Sequence, residues 1–386
     1  MTPPRLPTID AALQPRALWA LAVALAALGL AQTWTLLRFQ PPGLDFLPLW
    51  TAGRMAWSGH GQVYDFAAVT HAQAWLLPRF PWMRPYAYPP TALLLLAPIG
   101  ALPFWPALGA WMALGFGVFL YAGTRLTRGR RTLVVALMLL SPAVVMAAIV
   151  GQAVILVSAL TALAMVDLTG KPRRAGVWLA LAAAIKPQAV LLAPLALVAG
   201  GAIEALVSAA VVGAVLVALS AAIFGVPLWT QWLASLPDFQ KVIESVPNLM
   251  AGVITPLGAA NLLGLSGPAA LVWRAAFALL GAGLAWSAFA RRADPATRLA
   301  ALAAGSLLIA PYAMHYDGAM LVPAAVALAV GRTQTPRWAL GFLGLVAVCE
   351  VTTPDLGLAA VVAFAVLASG ISLRAGAPRP VPAPTL

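Results

Sequence analysis

Charge is what this sequence has least of. Only 9% of its 386 residues are Asp, Glu, Lys or Arg, and 62% are hydrophobic, against about 25% charged in soluble domains. That scarcity excludes a water-facing globular surface. Cysteine is nearly absent too: the single Cys349 lies inside an apolar run, so an intramolecular disulfide and a CxxC metal site are both ruled out. There is no GxGxxG turn, no P-loop and no DxD pair, the devices with which a soluble enzyme holds a nucleotide or nucleotide sugar. The ten-residue alternation of a barrel strand is missing as well.

What is present is apolar length. Ala17 to Leu37, Ile203 to Phe224 and Ala269 to Ala290 each exceed 18 residues with few or no charges, enough to cross roughly 30 Å of hydrocarbon. Lipid offers the backbone no hydrogen-bond partner, so such runs must close their own bonds as helices. Twelve stretches qualify as spans, at residues 17–37, 104–123, 132–149, 153–169, 175–185, 187–201, 203–224, 268–290, 298–312, 318–331, 336–351 and 356–373. Pro187 must interrupt the hydrogen-bond ladder beside Lys186, so that pair reads equally as a broken helix or a re-entrant hairpin. The fold class expected is an all-α integral membrane protein of about 10–12 transmembrane helices, with short interfacial helices in the outer loops. Gly29-Leu30-Ala31 has the small residues of a cleavage site, but the apolar run continues past it, as in an uncleaved anchor.

The formal charge of +12 reflects orientation. With the N-terminus inside, 16 of the 23 basic residues fall in inner segments, which satisfies the positive-inside pattern. This distribution suits anchoring in a plasma (cell inner) membrane with both termini cytoplasmic, and gives no patch for nucleic acid. Residues 1–373 form one polytopic unit with long outer segments at 38–103 and 225–267, and residues 374–386 a proline-rich cytoplasmic tail.

The outer side collects the polar residues. Trp50, Trp57, Trp75, Trp82, Tyr64, Tyr86 and Tyr88 crowd the first long segment, a composition that favours the membrane interface. Asp45 stands just after the first span. Gly151-Gln152 and Lys186-Pro187-Gln188 occupy outer ends or breaks of spans, Asn248 lies late in the second long segment, and Pro311-Tyr312-Ala313-Met314-His315-Tyr316-Asp317 occupies another outer end. Ionisable groups at membrane depth cost about 2.5–3.5 kcal/mol and mark function by default. Structural roles stay open for each: Asp45 or Asp317 as a helix cap, Lys186 snorkelling to headgroups, His315 satisfied by water, and Gln152 and Gln188 as interhelical hydrogen bonders.

The ordered set Asp45 with Trp50-Thr51-Ala52-Gly53-Arg54, Gly59 to Tyr64-Asp65, Tyr88-Pro89-Pro90, Gly151-Gln152, Lys186-Pro187-Gln188, and Pro311-Tyr312 through His315-Tyr316-Asp317 resembles the family-87 glycosyltransferases. These polyprenyl-phosphate-mannose-dependent enzymes were formerly a domain of unknown function and belong to the GT-C membrane superfamily. The resemblance implies a polyprenyl-phosphate-linked sugar donor reached from the non-cytoplasmic leaflet, a glycolipid or glycan acceptor, and a catalytic base at Asp45. The leaving phosphate gains charge, so Lys186 or His315, with Arg54, would meet it, and Gln188 would lie nearby. Tyr64, Tyr88, Gln152, Asn248, Tyr316 and Asp317 would line the substrate cleft. No cofactor is implied, and a divalent metal stays open. The chain differs from that pattern in its small size and short outer segments. Two other functions fit the residues: a secondary transporter or lipid-linked-sugar translocase, since broken helices at membrane depth also describe carriers, and a non-catalytic envelope scaffold. No second copy of the Asp45 segment or of Lys-Pro-Gln is present to make paired carrier halves.

Overall fold

A computed structural model describes residues 14–58, 60–74, 76, 84–127, 129–245, 249–250 and 252–331, with 341–344, 346, 358–359 and 361–362. Among these residues every regular element is helical, apart from one isolated bridge between Val253 and Met314. The chain is an all-α membrane protein. Among the described residues four helices are long and apolar enough to cross a bilayer: α1 (Gln14–Phe39), α5 (Phe104–Leu126), α11 (Ile203–Phe224) and α14 (Gly267–Ala290). The pair α6 (Arg131–Leu139) and α7 (Pro142–Val150), bent by 60° at a short break, has the length and apolarity of a broken span or a re-entrant loop. Pro142, the first residue of α7, has no N–H to carry the ladder across it.

The other apolar runs fold as shorter helices: α8 (Val154–Asp167), α9 (Pro172–Ile185), α10 (Ala193–Ala199), α15 (Pro295–Ile309) and α16 (Val322–Val330). A proline within the first two residues opens α9, α10, α15 and α16, and so divides runs that are continuous in hydropathy. α8 is about 21 Å long at 1.5 Å per residue, short of the hydrocarbon thickness. Nearly all its residues are buried, as are those of α15 and α16, which is the signature of helices enclosed by others. α11 is the opposite case: it is apolar all round and almost none of it is buried, so lipid must cover it. The expected spans at 336–351 and 356–373 and the tail at 374–386 lie almost wholly outside the described residues.

Residues 38–103 carry α2 (Phe46–Ser58), a 3₁₀ turn (His60–Gln62), α3 (Phe66–Ala74), a second 3₁₀ turn (Pro90–Ala92) and α4 (Leu93–Gly100). Residues 225–267 carry α12 (Pro227–Ser245) and α13 (Pro256–Leu262). α2 and α4 touch backbone to backbone: a β-carbon on Gly53 would sit 2.2 Å from the Leu96 carbonyl oxygen, and one on Gly100 2.3 Å from the Arg54 nitrogen. Small residues at such a crossing are how helices approach closely without a side-chain layer between them. Trp50 and Trp57 lock the same pair, donating from Nε1 to the carbonyls of Leu102 (2.9 Å) and Ala97 (2.7 Å). Phe46 and Trp50 then pack on Phe104 with ring centroids 5.8 and 5.6 Å apart, fixing α2 to the start of α5.

Candidate active site

Two glycines bring Asp45 to its place. Gly43 and Gly151 both have φ of +77°, a left-handed conformation that only glycine adopts freely. Gly151 ends α7 there, and a β-carbon on it would meet Phe46 Cβ at 2.6 Å. The Gly43 N–H donates to Ile149 O (2.7 Å) and the Asp45 N–H to Val150 O (2.9 Å). These bonds seal the exit of α1 onto the end of α7, so that Asp45 faces Gln152 although 107 positions separate them.

The Gln152 amide Nε2 donates to Asp45 Oδ2 at 2.9 Å, and its Oε1 accepts from the Tyr88 hydroxyl at 3.1 Å. Because a hydroxyl donor occupies the carbonyl side, the NH₂ side is turned toward the carboxylate. Burial, with smaller contributions from neighbouring charges, lifts the Tyr88 hydroxyl well above the ordinary phenol range, so it stays a donor. Tyr88 is placed in turn by Tyr64, whose hydroxyl donates to the Tyr88 carbonyl at 2.7 Å, and by stacking on Tyr86 at 5.8 Å. The Tyr64 hydroxyl therefore holds the backbone of Tyr88 in place.

Asp45 is half-buried. No first-turn N–H of α2 donates to its carboxylate among the described residues, so it does not act as a side-chain cap. Burial raises the Asp45 carboxyl above its ordinary value; the Gln152 hydrogen bond, the charges of Arg84 and His315 and the Tyr316 hydroxyl oppose that rise.

His315, Tyr316 and Asp317 reach this end on a 3₁₀ helix (His315–Met320) that follows α15. The His315 N–H donates to Gly252 O (2.8 Å) and the Ile254 N–H to Ala313 O (2.8 Å). The second long segment is thereby stitched to the residues around the site. His315 Nδ1 is buried and makes no hydrogen bond to protein among the described residues. Lys186, at the break between α9 and the 3₁₀ turn Pro187–Val190, is ion-paired with Asp317; both side chains are buried, and the Tyr316 ring centroid is 5.9 Å from the Lys186 ammonium. The other Asp317 oxygen accepts the Met314 N–H at 3.0 Å. Asp317 thus does bind a backbone N–H at a helix start, as a cap does, and holds Lys186 as well.

The structure therefore gathers Asp45, Tyr88, Gln152, Lys186, His315, Tyr316 and Asp317 at one end of the bundle. Gln188 is half-buried on the 3₁₀ turn after Lys186. Arg54 is exposed, its guanidinium 5.5 Å from the Trp50 ring centroid, and no hydrogen bond or ion pair joins it to Asp45 among the described residues. Arg84 is the arginine whose charge acts on Asp45, and nothing in the sequence around it sets it apart from the other loop arginines. Asn248 lies outside the described residues. No three His, Cys, Asp or Glu side chains cluster as metal ligands among the described residues.

Next to this constellation runs an apolar groove of about 450 Å³ between α9, α10, α11 and α12. Pro89, Thr91 and Pro187 line one part of it, each within three positions of Tyr88 or Lys186. Ala183 of α9 and Leu206, Gly213 and Val217 of α11 line it further along; Leu206 to Val217 covers about 16 Å of helix.

The family model for glycosyltransferase family 87 matches residues 86–311, more than half of the chain. The chain belongs to glycosyltransferase family 87. No curated protein and no solved structure matches it. The family makes the constellation the candidate centre of a membrane glycosyltransferase, which explains why polar groups converge in so apolar a chain. The matched residues include Tyr88, Gln152, Lys186 and Gln188, while Asp45 precedes them and His315, Tyr316 and Asp317 follow.

Proposed function

We propose that this glycosyltransferase moves a hexose, mannose-like, from a polyprenyl-phosphate donor to a glycolipid or glycan acceptor at the extracytoplasmic face of the plasma membrane. Asp45 is the general base. It takes the proton of the acceptor hydroxyl as that oxygen bonds to the anomeric carbon, and the carbon–oxygen bond to the lipid phosphate breaks with its electron pair passing to the phosphate. One displacement of this kind inverts the anomeric configuration. The observation that carries this reading is the half-buried Asp45, its carboxylate held by an oriented amide and flanked by a histidine, a tyrosine and an arginine.

The leaving phosphate needs positive charge or donors set out in advance. Lys186, Arg84 and His315 are the groups at hand, and Arg54 would need to swing off Trp50 to join them. A phosphate arriving beside Lys186 would compete with Asp317 for the ammonium. The apolar groove along α9 and α11 supports the choice of donor, because a polyprenyl tail needs lipid-like walls leading to the reacting phosphate. No metal is required in this scheme.

The test is sugar transfer by purified protein in lipid nanodiscs with a panel of polyprenyl-phosphate hexoses and a glycolipid acceptor. Asp45→Asn keeps the shape and an acceptor for Gln152 but cannot take a proton, and should reduce transfer by about 10²–10⁴-fold with unchanged thermal unfolding. Wild-type rates from Asp45→Asn would remove Asp45 as the base. Failure of every polyprenyl-phosphate donor would remove the donor class.

A further inference from the structure

The end of the bundle away from Asp45 holds a second hollow, of about 250 Å³, between the start of α9, the α10–α11 turn and the α14–α15 turn. α9, 14 residues long, separates it from Lys186 by about 20 Å. Arg292 and Arg298 line it, and their settings are unusual. Arg298 lies with its guanidinium 5.8 Å from the Phe289 ring centroid, and its Nε is buried without a hydrogen bond to protein among the described residues. A buried guanidinium donor left unmatched is costly and calls for an acceptor. Arg292 has φ of +50°, directly after the C-cap residue of α14. That position favours glycine, because a β-carbon is strained in the left-handed conformation.

Two acids stand near. Glu204 lines the hollow but is paired with Arg173 at 3.4 Å. Asp294 caps α15, accepting from the N–H groups of Ala296 and Thr297 and from the Thr297 hydroxyl, and it also attracts Arg298. Lys171 and Arg291 add positive charge on the adjoining surface, so with Arg292 and Arg298 the region is cationic overall. Its other walls are apolar: Leu168, Ile203 and Phe289. Ile203 is 53% exposed and Val207, one turn on, 55%, so the mouth continues onto the face of α11 that lipid covers.

We propose that this hollow binds a phosphate group, carried by the headgroup of an anionic lipid, with Arg292 and Arg298 on the phosphate and the glycerol and acyl carbons against Ile203 and α11. Guanidinium forks match phosphate oxygens, and basic pockets between transmembrane helices take such headgroups. A free phosphate ion would use the arginines and leave the apolar walls without a partner.

Native mass spectrometry of the full chain tests this, with phosphatidylglycerol and phosphatidylcholine of matched acyl chains and with inorganic phosphate as a separate arm. The wild type should retain phosphatidylglycerol in preference, and Arg298→Gln and Arg292→Gly should each cut the preference about tenfold. Arg292→Gly also relieves the left-handed strain, so it should unfold at a higher temperature in phosphatidylcholine while binding anionic lipid less well, a pairing that a merely structural arginine would not give. It carries the test if Arg298→Gln does not fold. Equal preference in the wild type and Arg292→Gly would overturn the proposal. Binding of inorganic phosphate with no preference for phosphatidylglycerol would overturn the lipid as its source.

Discussion

Lys186 and Asp317 offer the sharpest separation of structural from chemical roles. Their side chains are 6% and 1% exposed, so either charge alone would sit in a poorly solvated place. Removing one partner of such a pair costs about 3–5 kcal/mol, chiefly because the survivor is left buried and uncompensated. Lys186→Met and Asp317→Asn should therefore each lower the temperature of thermal unfolding in a fixed detergent. The double variant should regain most of that loss, because no charge is stranded and the amide oxygen of the introduced asparagine can still accept the Met314 N–H that Asp317 now binds at 3.0 Å. The double variant is the informative protein for function. If Lys186 meets the leaving phosphate, it should be folded, bind lipid and transfer sugar at least about tenfold more slowly, the worth of one charge-assisted hydrogen bond. A Lys186→Met protein as stable as the wild type would refute the buried pair. A stable double variant with full activity would refute the role of Lys186 on the phosphate.

Three further outcomes follow from the geometry. Asp45 must be ionised to act as a base, and burial raises its pKa, so the acid limb of the rate profile should lie above the ordinary carboxylate value of about 3.9. Gln152→Leu removes a hydrogen bond that favours the ionised form, so the limb should move to still higher pH as transfer falls; a limb that stays put would mean that another group titrates. Ala183→Trp would fill the groove beside α9, and should raise KM for a long-chain donor while sparing a short-chain one; equal effects on both would place the tail elsewhere. Gly53→Val puts a side chain where even a β-carbon meets the Leu96 carbonyl at 2.2 Å, and should cost about 1–3 kcal/mol or more in unfolding measurements.

The helices legible in the sequence are those whose apolar run and ends coincide. The run 203–224 is α11 to the residue, because Gly225 and Pro227 follow it at once. The run 132–149 looks like one span, because hydropathy does not register the missing N–H of Pro142 that bends it. The Lys186-Pro187 break can be read for the same reason in reverse, since proline there interrupts a short run. At the site, Asp45, Gln152, Lys186 and His315 stand out singly as polar residues at the ends of apolar runs. Their meeting does not: it depends on backbone bonds between residues 43–45 and 149–150, and between 252–254 and 313–315, which leave no trace in composition. Arg54, set in a conspicuous Trp-Thr-Ala-Gly-Arg stretch, draws attention that the geometry gives to Arg84. The groove has a signal in the small residues Ala180, Ala183 and Ala184 facing Ala209, Ala210 and Gly213, spaced to share helix faces.

The division of the site between the matched region and its flanks has a physical consequence. Residues 86–311 supply Tyr88, Gln152 and Lys186, three groups that hold or stabilise charge, and among the described residues they bring no carboxylate or imidazole to the site to accept a proton. The carboxylates that complete them come from outside: Asp45 from the N-terminal side and Asp317 from the C-terminal side. Without the flanks Lys186 would be a buried cation with no counter-charge, and Gln152 would donate to nothing. Each flank is pinned within two residues of the group it delivers, Asp45 by its own N–H and that of Gly43, Asp317 by His315 on Gly252. A hydrogen bond between main chains cannot be adjusted by a rotamer, so these contacts fix the backbone from which each carboxylate projects, and the Gln152 amide and the Lys186 ammonium then orient the two side chains.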